Sequence, residues 1–353
     1  MNLDQIVRKS GAWLGSKQAT EIVISSRVRL ARNVKGERFP GWAGEDRRVR
    51  LAGKLRAALE AAPSLREAVY LDMGALSATE KDILTERHLI SHELAERGPG
   101  SGVAVTADEQ IAVMVNEEDH LRLQALMPGL DLMTAWMRID QVDTELEELL
   151  DYAFSPRLGY ITACPTNLGT GLRASVMLHL SGLKLMDEIE AVINGLERIG
   201  LTVRGLTGEG TEAHGNMYQV SNQMTIGETE VALVNRLFQT IGELETHERN
   251  ARLRLLESRR TYLLDQIGRA LGVLLHARIL SSSEAIERLS ALRLGVELGL
   301  VGHVDLDCLN ELMILTQPGH LQKIAHEELT PEERDELRAK VIGERLRNAR
   351  FTE

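Results

Sequence analysis

The chain is poor in cysteine, in lysine and in long apolar runs, and each shortage removes a class of protein. Two cysteines in 353 residues, Cys164 and Cys308, are too few for a disulfide framework and too far apart for a CxxC metal site, so each is read as a free thiol. No apolar stretch reaches the length of a bilayer crossing, and the start MNLDQIVRKSGAWLG has no signal-peptide h-region, which predicts a cytoplasmic protein without a membrane partner. The net charge of −11 argues against direct nucleic-acid binding. Only 8 of the 41 basic residues are lysine, and there is neither a GxxxxGK[ST] loop nor a GxGxxG with the lysine, HRD and DFG elements of eukaryotic-type kinases. A bound phosphate would therefore be held by arginine, whose planar fork suits bidentate phosphate contacts. Genome composition can also enrich arginine, so only position separates the two explanations.

With 43% apolar residues the chain can bury a large core, and its length predicts two domains. Between Glu21 and Asn222, strand-like segments (EIVISSRVRL, SGVAVTAD, IAVMVN, GYITAC, LTVRGL, MYQVSNQMTI) are interspersed with segments of helical spacing (DRRVRLAGKLRAALEAA, ATEKDILTERHLI, DTELEELLDYAF, LKLMDEIEAVINGLERIG). The order is not a regular strand–helix alternation. It predicts an α+β fold, a mainly antiparallel sheet flanked by helices, rather than a doubly wound parallel sheet. After Gly227 the strand signals stop. Ser281 three residues before Glu284, and Thr330-Pro331-Glu332-Glu333, mark helix starts, so an all-α C-terminal domain is expected over 256–353 after a first domain over 1–255.

Arginines recur beside glycine, serine or a strand end: Arg27 and Arg29 in SSRVRLAR, Arg122 in NEEDHLR, Arg173 in CPTNLGTGLRAS and Arg204 in VRG. Strand alternation puts Arg27 and Arg29 on one face, which a solvent-facing edge and an anion site explain equally. The run Asn116-Glu117-Glu118-Asp119-His120 follows the apolar strand IAVMV. A surface acidic turn is its ordinary reading; a mount for a cationic acceptor is the other. Glu209 sits between two glycines, as in a mobile loop or a plain surface turn. Cys164 is read as ending a strand beside the glycine loop, where a buried structural thiol is the usual state and nearby arginines would favour a thiolate.

In this order, SSRVRLARN, NEEDHLR, CPTNLGTGLRAS and RGLTGEGTEA resemble the catalytic domain of the phosphagen (guanidino) kinases, over about residues 20–255. There is no room for the small N-terminal helical domain of those enzymes, and about a hundred residues follow at the C-terminus. That arrangement, with GYITACPTNLGTGLRASVMLHL, SNQMTIGE, LRLGVELG and NELMILTQPG, resembles the bacterial protein-arginine kinases along essentially the whole chain. The resemblance implies ATP and Mg²⁺ as cofactors, no metal ligands identified among protein side chains, Glu118 and Glu209 as paired catalytic carboxylates with Asp119 beside them, and Cys164 near the acceptor. It implies Arg27, Arg29, Arg122, Arg173 and Arg204 on the nucleotide phosphates and His88 near the nucleotide. Met177 stands where phosphagen kinases often carry a histidine.

In Arg334-Asp335-Glu336-Leu337-Arg338-Ala339, Arg334 and Arg338 share a helical face that can clasp a phosphate or be simply solvated. The resemblance makes Arg334, Asp335 and Arg338 a regulatory phosphoarginine pocket. It further implies arginine-containing protein substrates, a Clp-type unfoldase or protease, a stress-response repressor, an activator protein and a homo-oligomer. A small-molecule kinase acting on free arginine and a phosphoarginine-binding adaptor with little catalysis are the competing expectations.

Overall fold

The computed structural model describes residues 11–15, 22–205 and 214–352. The strands are β1 (Val23–Arg32), β2 (Val69–Asp72), β3 (Gly102–Val105), β4 (Ile111–Val115), β5 (Leu121–Pro128), β6 (Phe154–Ser155), β7 (Gly159–Tyr160), β8 (Leu172–His179), β9 (Leu201–Gly205), β10 (Met217–Asn222), β11 (Val301–Gly302) and β12 (Arg350–Phe351). The helices are α1 (Glu45–Ala61), α2 (Ala78–Glu86), α3 (His92–Ala95), α4 (Leu132–Glu147), α5 (Ser181–Leu185), α6 (Ile189–Arg198), α7 (Glu230–Ser258), α8 (Arg260–His276), α9 (Ser282–Glu297), α10 (Leu306–Leu315), α11 (Pro318–Ala325) and α12 (Pro331–Leu346). Eight strands form one sheet in the order β2-β3-β4-β5-β1-β8-β10-β9, antiparallel from β2 through to β1. This is the α+β architecture that the irregular order of elements predicts.

Among the described residues, backbone contacts define two compact units, one holding 11–13, 25–176 and 221–239, the other 14–15, 22–24, 177–205, 214–220 and 240–352. In the first, helices lie on the sheet through apolar stripes. Helix α4 buries Leu132, Ala135, Trp136, Ile139, Val142 and Leu146, a three- and four-residue spacing, and Asp131 caps its start by accepting from Thr134 N. Leu84, Leu89 and Leu94 pack with Val103, Val105, Ala112 and Met114 on one face of β3 and β4. In the second unit, α8, α9, α10 and α12 share a core that includes Leu263, Ile267, Leu289, Leu309 and Ile342. Helix α12 starts at the expected capping box, with Thr330 and Glu333 exchanging bonds, and Ser281 caps α9.

Local readings fail where tertiary context decides. The segment GYITAC is strand only over Gly159–Tyr160, so Cys164 does not end a strand but precedes a 3₁₀ turn, Pro165–Asn167. Helix α2 stops at Glu86, because His88 adopts a left-handed φ of +57°. The DTELEELLDYAF segment supplies only the last turn of α4.

Candidate active site

Sheet register gathers the arginines. Arg29 pairs with Gln124 and Ala31 with Arg122 across β1 and β5, and directly paired residues share a face. Arg122 thus joins Arg27 and Arg29 on that face, and Arg27 Nε donates to Ser175 Oγ on β8 at 3.4 Å, two residues from Arg173. Arg173 Nη2 in turn donates to Ser221 Oγ at 3.3 Å. The charges register one another. Burial, then Arg122 and Arg173, bring the pKa of Arg27 down to about 10, and burial with Arg27, Arg122 and Arg173 holds Arg29 well below its ordinary value. The buried Arg29 Nε meets no hydrogen-bond partner among the described residues. Crowding Arg27 and Arg29 with like charge in a desolvated fan is a cost that a polyanion removes.

His88 belongs to the same face, since Gln124 Nε2 donates to its carbonyl at 2.7 Å. Burial first and then the Arg27 charge take its pKa down to about 4, so at neutral pH it presents an uncharged ring. Trp13 packs edge-on against that ring, with centroids 5.6 Å apart.

The acidic run is not a solvated surface turn. It closes the β4–β5 hairpin, with Asn116 N donating to His120 O at 2.9 Å and Asn116 at a φ of +55°, and both Glu117 and Asp119 are completely buried. Arg122 spans two of the carboxylates, donating to Glu117 at 2.6 Å and to Glu118 at 3.1 Å. Glu117 also accepts from Ser91 Oγ, the cap of α3. Burial raises the Glu117 pKa above the ordinary carboxylate value, with Arg122 and Ser91 opposing. Glu118, whose side chain is 42% exposed, is the member of the run that reaches solvent.

Asn33 is the residue that motif reading passes over. Its Nδ2 donates to Asp119 Oδ1 at 2.6 Å and to Ile161 O at 3.0 Å, while its Oδ1 accepts from His120 N at 2.9 Å. Asp119 also accepts from Ala163 N at 2.7 Å, which ties the acidic hairpin to the residue before Cys164. The Cys164 thiol is half-buried and lies 3.0 Å from Thr166 Oγ1. The only signal for Asn33 in the sequence is its place at the end of SSRVRLARN. Close glycine packing completes the loop: Gly171 has a φ of +67°, and a Cβ there would come within 2.7 Å of Ala31 O.

Glu209 falls outside the described residues. Arg204 is exposed on β9, in the second unit, as is the half-buried Met177 on β8. On α12, Arg338 is buried and donates to Thr316 O at 2.8 Å and Leu280 O at 2.7 Å, and it is ion-paired with Asp335, while Arg334 donates to Leu329 O at 2.8 Å. Here Arg338 stitches the start of α12 to two neighbouring segments.

An arginine fan beside a buried acidic hairpin, on an antiparallel sheet covered by helices, defines a guanidino phosphotransferase. Residues 51–251 match the model of the ATP:guanido phosphotransferase C-terminal catalytic domain, and residues 260–353 match that of the protein-arginine kinase McsB C-terminal domain. The protein-arginine kinase of Halothermothrix orenii is 43% identical over 98% of this chain and 99% of its own. That of Moorella thermoacetica is 46% identical over 96% and 98%. Among solved structures, the duplicated taurocyamine kinase of Schistosoma mansoni with bound transition-state analog components aligns with a TM-score of 0.60 at 27% identity, covering 72% of this chain and 39% of that longer one. The chain belongs to the protein-arginine kinase family.

Proposed function

We propose that the protein transfers the γ-phosphate of ATP to the guanidinium of arginine residues within other proteins. The observation that carries this reading is the arginine fan, four guanidinium groups gathered by β1, β5 and β8 in which Arg122 and Arg173 help to lower the pKa of the buried Arg27 and Arg29, set against an acidic hairpin engaged by one of them, Arg122. A guanidinium has a pKa above about 12 and becomes a nucleophile only when a proton leaves, so the site must bind a cation and act as a base. Glu118 is the proposed base, and Glu209 its partner in clamping the planar acceptor so that one nitrogen is aligned with the γ-phosphorus. Asp119 fixes the hairpin, and the Cys164 thiol polarises the acceptor. Arg27, Arg29, Arg122 and Arg173 hold the phosphates, His88 approaches the nucleotide, and Arg204 enters on the sequence resemblance alone. The N–P bond forms as the bond to the ADP leaving oxygen breaks, and the acceptor's proton goes to carboxylate.

Mg²⁺ would be held chiefly by the nucleotide's own oxygens, because Glu117 and Glu118 are both engaged by Arg122; when bound it neutralises charge on the transferred group. The family resemblance supports the remaining proposals: a division at 255/256, a phosphoarginine-binding role for Arg334, Asp335 and Arg338, homo-oligomerisation, an activator protein, and delivery of marked proteins to a Clp-type protease with control of a stress-response repressor. No helix among the described residues is long and apolar enough to cross a membrane; a cytoplasmic location is proposed from the family resemblance.

The test is to incubate the chain with Mg·ATP and either free arginine or an unfolded arginine-containing protein, and to search for acid-labile phosphoarginine by mass spectrometry. Label on protein arginine is expected. Label on free arginine alone, or no transfer to either, would overturn the reading.

A further inference from the structure

Trp42 is 83% exposed, whereas the other two tryptophans, Trp13 and Trp136, are 3% and 9% exposed. A tryptophan left in water on a loop is a standing cost that packing does not explain. What surrounds it is specific. The loop from Arg38 to Gly44, with the first turn of α1 that follows it, is fastened at each end to the acidic hairpin. His120 Nε2, the last residue of the run, donates to Arg38 O at 2.9 Å while its Nδ1 accepts from Val34 N at 3.0 Å. Asn116 Nδ2, the first residue of the run, donates to Arg48 O at 3.1 Å and to Gly100 O at 2.7 Å. The two residues that bracket Glu117, Glu118 and Asp119 therefore also bracket the loop that presents Trp42. Between these anchors the loop is tightly turned: Trp42 N and Ala43 N both donate to Phe39 O, at 2.9 and 3.0 Å, and Pro40 is buried. Arg48 reaches back to Ala43 O at 3.0 Å. The indole is thus carried on a stiff mount anchored by the two residues that flank the carboxylates.

We infer that Trp42 is a contact for the polypeptide flanking the target arginine, taking an extended, unfolded segment against the indole while the arginine enters beside Glu118. The inference rests on the proposed protein acceptor. A free amino acid offers nothing to an aromatic side chain beyond the guanidinium site, whereas the neighbours of an arginine in an unfolded chain offer aliphatic stems and backbone, for which a preordered indole is a low-entropy partner. Continuity with the acidic hairpin selects this occupant over a second copy of the chain.

The experiment compares the wild-type chain with Trp42→Ala and Trp42→Phe, using a reduced and alkylated arginine-containing protein as acceptor. Phosphoarginine formation by the wild type establishes the underlying reading independently, so the variants test Trp42 alone. For Trp42→Ala the KM for the unfolded protein is expected to rise about 5- to 30-fold, the range of a single aromatic contact, with kcat and the KM for ATP within about twofold and Trp42→Phe recovering most of the loss. In parallel, a saturating arginine-containing peptide should reduce acrylamide quenching of tryptophan fluorescence in the wild type and not in Trp42→Phe. An unchanged KM, a loss confined to kcat, or quenching indifferent to the peptide would each overturn the inference.

Discussion

Replacing Glu297 by glutamine removes one charge from the most heavily buried ionic cluster among the described residues of the second unit. Glu297, at the end of α9, lies 2.7 Å from Arg293 Nε, 2.8 Å from Arg252 Nη1 and 3.4 Å from His179 Nδ1, and none of these side chains is more than 4% exposed. Arg252 is further held by Glu248 at 2.6 Å, and Glu248 accepts from the backbone of Gly182 and Leu183 at the start of α5. The substitution keeps shape and leaves two buried guanidinium groups sharing a neutral amide. Breaking a buried pair from one side costs about 3–5 kcal/mol. For a unit of this size that corresponds to a fall in Tm of roughly 6–20 °C. Thermal unfolding followed by far-ultraviolet circular dichroism, beside the wild type, is the assay. A fall of under about 2 °C would mean that the cluster contributes no net stability and that the reasoning fails.

The same cluster fixes a direction in pH. Burial lowers the His179 pKa below its ordinary value of 6.5, with Glu297 opposing, and Arg252 and Arg293 add to the lowering. Burial raises the Glu297 pKa, but Arg293, His179 and Arg252 outweigh it and hold the carboxyl below 4.5. Both folded values lie below the unfolded ones. The unfolded chain therefore binds more protons, and the stability present at neutral pH is lost as pH falls, first through His179 below about 6.5 and then through Glu297. Glu297→Gln should remove the second, more acidic part of that loss.

Three further outcomes address the catalytic site. Glu118→Ala should lower kcat at least about 10²-fold with an unchanged circular dichroism spectrum, since Glu118 reaches solvent and general-base catalysis is worth about that much or more; near wild-type turnover would remove Glu118 as the base. Arg29→Met should raise the KM for ATP about 10- to 100-fold, in line with a lost charge-assisted phosphate contact, while leaving the nucleotide-free chain no less stable, because it relieves repulsion from Arg27, Arg122 and Arg173. A large loss of stability would make Arg29 a structural residue. Asn33→Ala removes the bonds to Asp119, Ile161 and His120, and should lower kcat about 10- to 100-fold at unchanged KM for ATP; a change in nucleotide affinity alone would place Asn33 outside the acceptor side.

How much of this was legible in the sequence depends on the range of the physics involved. Helix starts were legible because caps are local: Ser281 and Thr330 each announce a helix within three residues. Strands β2, β5 and β8 were not, because VYLD, LRLQALMP and LRASVMLH carry charge or mixed polarity, and it is the neighbouring strands that make them sheet. The same non-local pairing hid the logic of the arginines. Alternation along β1 shows that Arg27 and Arg29 share a face, but only the register with β5, which sets Ala31 against Arg122, shows that Arg122 shares it too.

Composition was most misleading at the acidic run, where three consecutive carboxylates read as a solvated turn. What overturns that reading is the set of hydrogen bonds that distant parts of the chain make to the buried members. Arg122 and Ser91 meet Glu117, and Asn33 and Ala163 meet Asp119, so only Glu118 turns outward. Two charges enclosed and bonded so that a third stands at the rim make a rigid mount, and rigidity there is what alignment of an acceptor nitrogen requires. A plain surface turn would place all three carboxylates in water, and none would then be held to the geometry that in-line transfer demands.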